Sequence, residues 1–384
     1  MSVAQTIRSA SVAEQLTEFG AEMAHTRPPY SKRNWGHPLH ALCSYQGKLK
    51  PALAHTLIKN MTAGDATVLD PLGGVGTIAL EAALSGREAW SNDLSPLAFI
   101  VAQAKLDPPR MSDFDAALAE FEAELKVCPI TSADRGEAEF GLNARVADYF
   151  HTSTLDDILR ARKLLRADRA LSRERAFIYA CLLHVLHGNR PYALSRTSHP
   201  ITPFNPRGPF IAKDIVDSVR AKGYRALSEP LPDRFLSGNS LYGDYRTLPE
   251  RLPRTVDAII TSPPFIGMRF DRPNWLRLWF CGWAQQDFHD SLSAGFLERQ
   301  QLTDRECYGD FFRVCSEVLD ADGVLVIHAG AGSKGDLAAD LRRLAGNTFR
   351  LEADVEENVR DLEQHGLSDK RLTVSHHVLA FTRR

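Results

Sequence analysis

The stretch that decides the fold is Ala66-Thr67-Val68-Leu69-Asp70-Pro71-Leu72-Gly73-Gly74-Val75-Gly76-Thr77. Residues 66–70 read as a buried strand and Gly73 to Gly76 as a turn. Thr77 to Ser85 then read as a short helix rich in Ala and Leu, stopped by Gly86. Glycines let the backbone turn tightly and approach a ligand closely. In open α/β sheets, ligands sit beyond the carboxyl ends of the strands. The third glycine of G-x-G-x-x-G is missing, and so is the Gly-Lys-Ser/Thr of a P-loop, which leaves nucleoside triphosphate binding unsupported. Glu88 to Asn92 form the next strand, ending at Asp93. An acid there can accept hydrogen bonds from ribose hydroxyls, or cap a helix at Leu94-Ser95-Pro96.

A second site follows the strand Val256 to Ile260, at Thr261-Ser262-Pro263-Pro264-Phe265. Two adjacent prolines fix φ and remove two N–H donors. What remains is a rigid rim of carbonyl and hydroxyl acceptors beside an aromatic ring, suited to an exocyclic amino group on a stacked base. A plain proline turn is the structural alternative. Outward from these two sites, strands are expected at 323–328 and 372–382, and a helix over 308–319. Strand–helix alternation of this kind predicts a doubly wound, mostly parallel α/β sheet. Residues 112–235 break the alternation with helical patterns that start at Ser112, Thr154 and Ser172 and end in a proline-punctuated loop. The expected organisation is an N-terminal helix and cofactor-binding part over 1–105, a helical insertion over 106–235 serving target recognition, and a catalytic part over 236–384. Residues 1–27 carry Val12, Leu16, Phe19 and Met23 on one stripe, read as a docking helix.

The chain has 384 residues, with 46 Lys and Arg against 48 Asp and Glu, so its charge of −2 excludes a globally basic nucleic-acid coat but not a local basic cleft. No apolar run approaches the roughly 20 residues that span a bilayer. No secretory signal core is evident, so a cytoplasmic location is expected. The six cysteines are scattered with no C-x-x-C pair, and no metal site is expected.

Asp70 to Thr77 resembles the Asp-Pro-Phe-x-Gly-x-Gly-Thr cofactor motif of the amino-group DNA methyltransferases that use S-adenosyl-L-methionine. Thr261 to Phe265 resembles their Ser-Pro-Pro-Tyr/Phe catalytic motif, in the form associated with cytosine N4. His40 to Pro51, with Tyr45 and Lys48, resembles the segment that closes over the methionine end of the cofactor. Ser237-Gly238-Asn239-Ser240 resembles the Gly-Asp-Ala/Ser near the adenine, and His376 to Phe381 resembles the last strand of a seven-stranded-type sheet. The resemblance covers roughly 37–105 and 236–384. It implies cofactor binding by Tyr45, Lys48, Asp70, Pro71, Gly74, Gly76, Thr77, Asp93, Leu94, Asn239 and Thr261, and catalysis by Ser262, Pro263, Pro264 and Phe265. Leu72-Gly73 replaces the usual Phe-Cys, Val75 replaces a small polar residue, and Asn239 replaces the usual acid.

In such an enzyme the Ser262 hydroxyl and Pro263 carbonyl would accept hydrogen bonds from the amino group, and Phe265 would stack on a base flipped from duplex DNA. A C5-cytosine mechanism needs a cysteine nucleophile after proline, and no Pro-Cys dipeptide occurs. Nucleic-acid contact is expected from Arg190, Tyr192, Ser195, Arg196 and His199 in a loop, and from Arg269, Arg272 and Arg277 after the catalytic turn. Trp275 and Trp279 read as core. Lys32, Arg33, Lys48 and Lys50 form a third basic cluster. DNA is the expected partner, with a cognate restriction endonuclease if the enzyme is the modification half of such a system; the oligomeric state stays open. Three functions remain: cytosine-N4 methylation of DNA, adenine-N6 or RNA-base methylation by the same chemistry, and a non-catalytic nucleic-acid binder.

Overall fold

A computed structural model describes residues 11–32, 35–168, 170–291, 295–359 and 373–384. The strands are β1 (Thr67–Asp70), β2 (Glu88–Asp93), β3 (Asn239–Tyr242), β4 (Val256–Thr261), β5 (Leu319–Gly332), β6 (Gly335–Asp336), β7 (Phe349–Asn358) and β8 (Thr373–Arg383). The principal helices, in chain order, are α1 (Val12–Glu22), α2 (Pro51–Met61), α3 (Thr77–Leu84), α4 (Pro96–Leu106), α5 (Met111–Val127), α6 (Thr152–Ala167), α7 (Arg173–Val185), α8 (Ile215–Ala226), α9 (Asp271–Phe280), α10 (Cys307–Val318) and α11 (Leu337–Ala345).

Strand order is β3-β2-β1-β4-β5-β8-β7, with β6 paired to the end of β5. The run from β3 to β5 is parallel, and β8 lies antiparallel between β5 and β7. All four residues of β1 are buried, because helices cover both faces of a parallel sheet and remove any need for polar alternation. The chain winds outward from β1 to β3, then returns to place β4 on the other side of β1. The strand order therefore reverses between β1 and β4, and the two turns singled out from sequence emerge side by side at that switch point.

One apolar face packs under α1, α2 and α3. The other sheet face packs under α10 and α11. The insertion helices α5 to α8 share a third core with α4 and α9, so their packing is continuous with the sheet-covering layer. Trp275 and Trp279 are fully buried there.

The expected elements are found with shifted limits. The first helix begins at Val12 behind a Ser11 capping box and ends at a left-handed Met23; residues 1–10 lie outside the described residues. Strand β5 runs well beyond 323–328 at both ends, and Leu372 is likewise outside the described residues. Ser172 caps α7 as expected. Ser112 and Thr154 are not caps: Arg110 and His151 hold those positions, and the Thr154 hydroxyl instead donates to the Lys213 carbonyl at 3.0 Å. Helix α2 was hidden because Pro51 reads as the end of a loop, whereas proline at the first helical position starts a helix.

Helix α1 docks on β7 so closely that a Cβ on Gly20 would stand 2.9 Å from the Val355 side chain. Leu16 is fully buried beneath it. Leu16→Ala should lower stability by about 2–5 kcal/mol, read as a lower urea midpoint at unchanged m. A midpoint within error of the parent would show that α1 is only loosely apposed.

Candidate active site

The site is built where β1 and β4 end. The Thr261 hydroxyl donates to Asp70 Oδ1 at 2.7 Å, between two buried side chains. The Leu72 N–H donates to the same oxygen at 3.2 Å. Burial lifts the Asp70 carboxyl to about 7, against the pull of those two donors. The first turn and the second are thus joined by one hydrogen bond.

The glycine turn is folded tightly over the neighbouring strand. Gly73 N–H donates to the Asn92 carbonyl at 2.8 Å, and a Cβ on Gly73 would come within 2.0 Å of Ser91 Oγ. Gly74 and Gly76 have φ of +50° and +69°. A Cβ on Gly76 would press on Ala102 of α4 at 3.0 Å, whereas one on Gly74 would meet nothing within 4 Å, so the turn is open on the side of the strand ends. Thr77 begins α3 and its helix N-terminus points to the same side, a place that favours electron-rich ligand groups.

Asp93 ends β2 and braces the turn. Its Oδ2 accepts from Gly74 N–H at 2.8 Å and its Oδ1 from Ser95 N–H at 2.8 Å. The helix cap is Ser95, not Asp93. Burial lifts Asp93 to about 6, opposed by these backbone donors. From beneath, Lys105 on α4 donates to the Val75 carbonyl at 2.6 Å. Burial holds that ammonium well below its ordinary range. Sequence reading passed over Lys105, although a lysine inside the apolar run Phe99 to Leu106 was a signal that a buried acceptor waits for it.

The segment 37–50 forms a wall. Glu81 on α3 accepts from or pairs with His40 Nε2 at 2.7 Å and His55 Nδ1 at 3.0 Å. Lys48 Nζ donates to the His40 carbonyl at 2.8 Å. Burial, with the charges of Asp93 and Glu298, pushes the Tyr45 phenol well above its ordinary range. Glu298 was not anticipated. It is buried, its Oε1 has no hydrogen-bond partner among the described residues, and burial beside Asp93 and Asp271 raises it to about 8. Leu94 borders the same space, its Cδ2 3.7 Å from where a Cβ on Gly295 would stand.

Asn239 departs from expectation. It opens β3 opposite Trp90, whereas Tyr242 at the other end is level with Asp93. Asn239 is therefore about 10 Å short of the site edge, at 3.3 Å per residue. The acid that does stand past the end of β3 is Asp244, paired with Arg246 at 2.7 Å.

In the second turn, Ser262 Oγ lies 3.1 Å from His328 Nδ1 on β5. Pro263 is buried. The Pro264 carbonyl accepts from Gln301 Nε2 at 3.0 Å, and Tyr308 hydroxyl donates to Gln301 Oε1 at 3.0 Å. Phe265 lies over Gly330, where a Cβ would come within 2.6 Å of its ring, with His328 and His376 at centroid distances of 5.6 and 5.4 Å. Gln301 and His328, both remote in sequence, could not be assigned to the turn without the strand order.

The residues expected to touch nucleic acid divide. Ser195 is buried. Tyr192 stacks on His184 at 5.7 Å, and the Arg225 guanidinium lies over its ring. Arg196 donates to the carbonyls of Gly208 and Asp148 and lies over Phe210. Arg269 is paired with Asp271. Arg277 is buried and donates to Leu183 O at 2.8 Å and Ser44 O at 3.0 Å, so it cannot meet phosphate. Arg190, His199 and Arg272 are exposed. Arg33 lies outside the described residues. Unforeseen exposed groups are Arg207, Phe204 and Phe210 on the same loop. That loop stands beside the pocket wall, since His184 Nδ1 also accepts from Ser44 N–H at 3.2 Å. Among the described residues no cluster of His, Cys, Asp or Glu could hold a metal ion, and no helix is long and apolar enough to cross a membrane.

Residues 40–125, which contain the wall, the glycine turn and Asp93, match the family model described as UPF0020, RMKL-like, methyltransferase domain. The match takes in less than half of the chain. S-adenosylmethionine is the cofactor that a methyltransferase domain of this fold implies. Among solved structures, the chain is similar to TrmN from Thermus thermophilus, at 16% identity and a TM-score of 0.36, covering 90% of this chain and 52% of that one. The chain thus spans about half the length of that protein. It is also similar to a TehB-like SAM-dependent methyltransferase from Corynebacterium glutamicum, at 11% identity and a TM-score of 0.33, covering 97% and 98%. The rRNA methyltransferase aviRa from Streptomyces viridochromogenes follows at 12% identity and 0.37, covering 93% of each chain. These likenesses carry no argument about substrate. No curated protein matches the chain.

Thr261→Val deletes the donor to Asp70 and leaves a buried carboxyl short of a partner. Stability should fall by about 1–3 kcal/mol, and Thr261→Ser should retain most of it. Equal losses in the two variants would show that the hydroxyl is not the stabilising group. A second expectation concerns pH. Asp70, Asp93 and Glu298 titrate above their ordinary values of 3.8, 3.8 and 4.5, at about 7, 6 and 8. The folded state then holds more protons than the unfolded one between about pH 4 and 8, so stability decreases as pH rises through that window. Glu298→Gln should flatten the decline of the urea midpoint between pH 5 and pH 8. A slope as steep as the parent's would contradict the assignment.

Proposed function

We propose that the protein transfers a methyl group from S-adenosylmethionine to an exocyclic amino group of a nucleic-acid base, with cytosine N4 in DNA as the first candidate. The observation that carries this reading is the Thr261–Asp70 hydrogen bond, which brings the open glycine turn and the Ser-Pro-Pro-Phe rim to one switch point.

The residues present fit the cofactor. Gly74 leaves a cradle that a side chain would fill, and Asp93 offers carboxylate acceptors for ribose hydroxyls. Tyr45, Lys48, Pro71, Gly76, Thr77 and Leu94 would enclose it. When bound, it supplies an electrophilic sulfonium methyl. The amine of a base is a poor nucleophile, since its lone pair is delocalised into the ring. Ser262 Oγ and the Pro263 carbonyl would accept hydrogen bonds from that amine, favour a pyramidal nitrogen and aim its lone pair. Gln301 holds the carbonyl of the second proline by a hydrogen bond. Phe265 would present its ring to the base from a seat fixed by Gly330.

Residues 188–213 contain Arg190, Arg196, Arg207 and Lys213 and no acid, in a chain of net charge −2. With Phe204 and Phe210 half exposed, this loop suits phosphate contact and base stacking. Of the residues named from sequence, Arg190, His199 and Arg272 remain available for that contact. The family match is to a methyltransferase model other than the DNA family whose motifs the chain resembles. That keeps an RNA base as the second reading. A partner endonuclease belongs to the DNA reading alone.

Calorimetry with S-adenosylmethionine, followed by nucleoside mass spectrometry of DNA and RNA incubated with labelled cofactor, tests the assignment. Cofactor binding with N4-methylcytosine in DNA is expected; methylated RNA alone would select the second reading, and absence of cofactor binding would leave only a nucleic-acid binder. Asp93→Ala should weaken cofactor binding by about 1.5–3 kcal/mol. Ser262→Ala and Phe265→Ala should lower turnover far more than cofactor affinity, and the reverse pattern would move catalysis elsewhere.

A further inference from the structure

The catalytic turn has a partner that the resemblance does not supply. His328 on β5 is 5% exposed, and its Nδ1 is 3.1 Å from Ser262 Oγ. Its Nε2 has no hydrogen-bond partner among the described residues. The ring also lines a small void together with His25, Glu357 and His376. A neutral imidazole has one donor nitrogen and one acceptor nitrogen. If Nδ1 carries the hydrogen, it donates to Ser262 and the hydroxyl hydrogen must point at the substrate, where it opposes an incoming N–H. If Nε2 carries it, Nδ1 accepts the Ser262 hydroxyl hydrogen, and the serine oxygen turns its lone pairs to the substrate.

We propose that Ser262 and His328 work as a dyad, in which His328 Nδ1 accepts the Ser262 hydroxyl hydrogen, presents Ser262 Oγ as an acceptor, and receives the proton that the methylated amine must lose. This rests on the methyltransfer reading above. The amine lone pair forms the N–C bond while the C–S bond breaks, and that electron pair stays on sulfur. The amine then carries one proton too many. That proton passes to Ser262 Oγ as the serine proton moves onto His328 Nδ1. Once the product leaves, the imidazolium returns its Nδ1 proton through the half-buried Ser262 hydroxyl to solvent, which restores the Nε2–H tautomer. The products are a neutral methylated amine, a thioether and one proton released to solvent, with His328 neutral again. Burial and the facing His376, His25, Lys50 and His377 keep His328 neutral between turnovers, ready to accept. Phe265 from the turn packs on the ring without a titratable group.

Nitrogen-15 spectra of the histidines in the whole protein test the dyad without any activity. His328 should be the Nε2–H tautomer, and its Nδ1 resonance should move in Ser262→Ala. The Nδ1–H tautomer, or an Nδ1 signal indifferent to that substitution, overturns the proposal. The second arm uses methyl-labelled S-adenosylmethionine with DNA and with RNA. His328→Asn keeps a polar group near Nδ1 but cannot take a proton. It should lower kcat by about 10²-fold with little change in KM, and remove the acid limb of the pH–rate profile. Added to Ser262→Ala it should cause no further loss, whereas multiplicative losses would mean that the two act separately. A parent protein that binds cofactor but methylates neither nucleic acid would defeat the methyltransfer reading. The tautomer result would still decide the dyad.

Discussion

The Thr261–Asp70 hydrogen bond is the constraint from which the site follows. Both residues are the last of their strands, and both are buried, so the bond forms out of reach of competing water. It joins the turn that could hold a cofactor to the turn that could hold an amine. Two strands far apart in sequence become neighbours because the winding direction reverses between them. Only at such a reversal do two consecutive loops diverge and leave a crevice. A register slip of β4 against β1 would carry Ser262 away from Gly74 and separate the two functions.

The site holds more carboxyl groups than cations, and burial decides how they behave. Asp70, Asp93 and Glu298 are each raised because desolvation outweighs the donors around them. Two cations near the turns are engaged by backbone carbonyls, Lys48 by that of His40 and Lys105 by that of Val75. The basic and aromatic groups that suit a polyanion sit instead on the loop of residues 188–213, beside the wall that carries Tyr45. Two opposite electrostatic characters are thereby kept on separate surfaces.

The central part of the fold was legible because buried strands are short, apolar and bounded by glycine or proline. The 66–77 unit and the strand before Thr261 appear within a residue of their expected limits. Strand β7 was not legible: Arg350, Glu352, Asp354 and Glu356 make it look solvated, and a register shift between the exposed Leu351 and Ala353 breaks the alternation that Ala353, Val355 and Glu357 carry on. Asn239 misled because a short Gly-Asn-Ser motif has no register until β3 is paired with β2, and pairing puts it at the far end. The arginines misled for a different reason. Arg196 and Arg277 donate to backbone carbonyls, and sequence alone does not distinguish such a role from one facing phosphate. His328, Gln301 and Glu298 reach the turns only through tertiary packing, so no local pattern announced them.

Hydrogen exchange of the whole protein with and without S-adenosylhomocysteine tests the shared origin of the two turns most directly. The amides of residues 70–77 and those of residues 260–268 should slow together on ligand addition. Protection confined to the first group, or protection only at a surface remote from both, would contradict it.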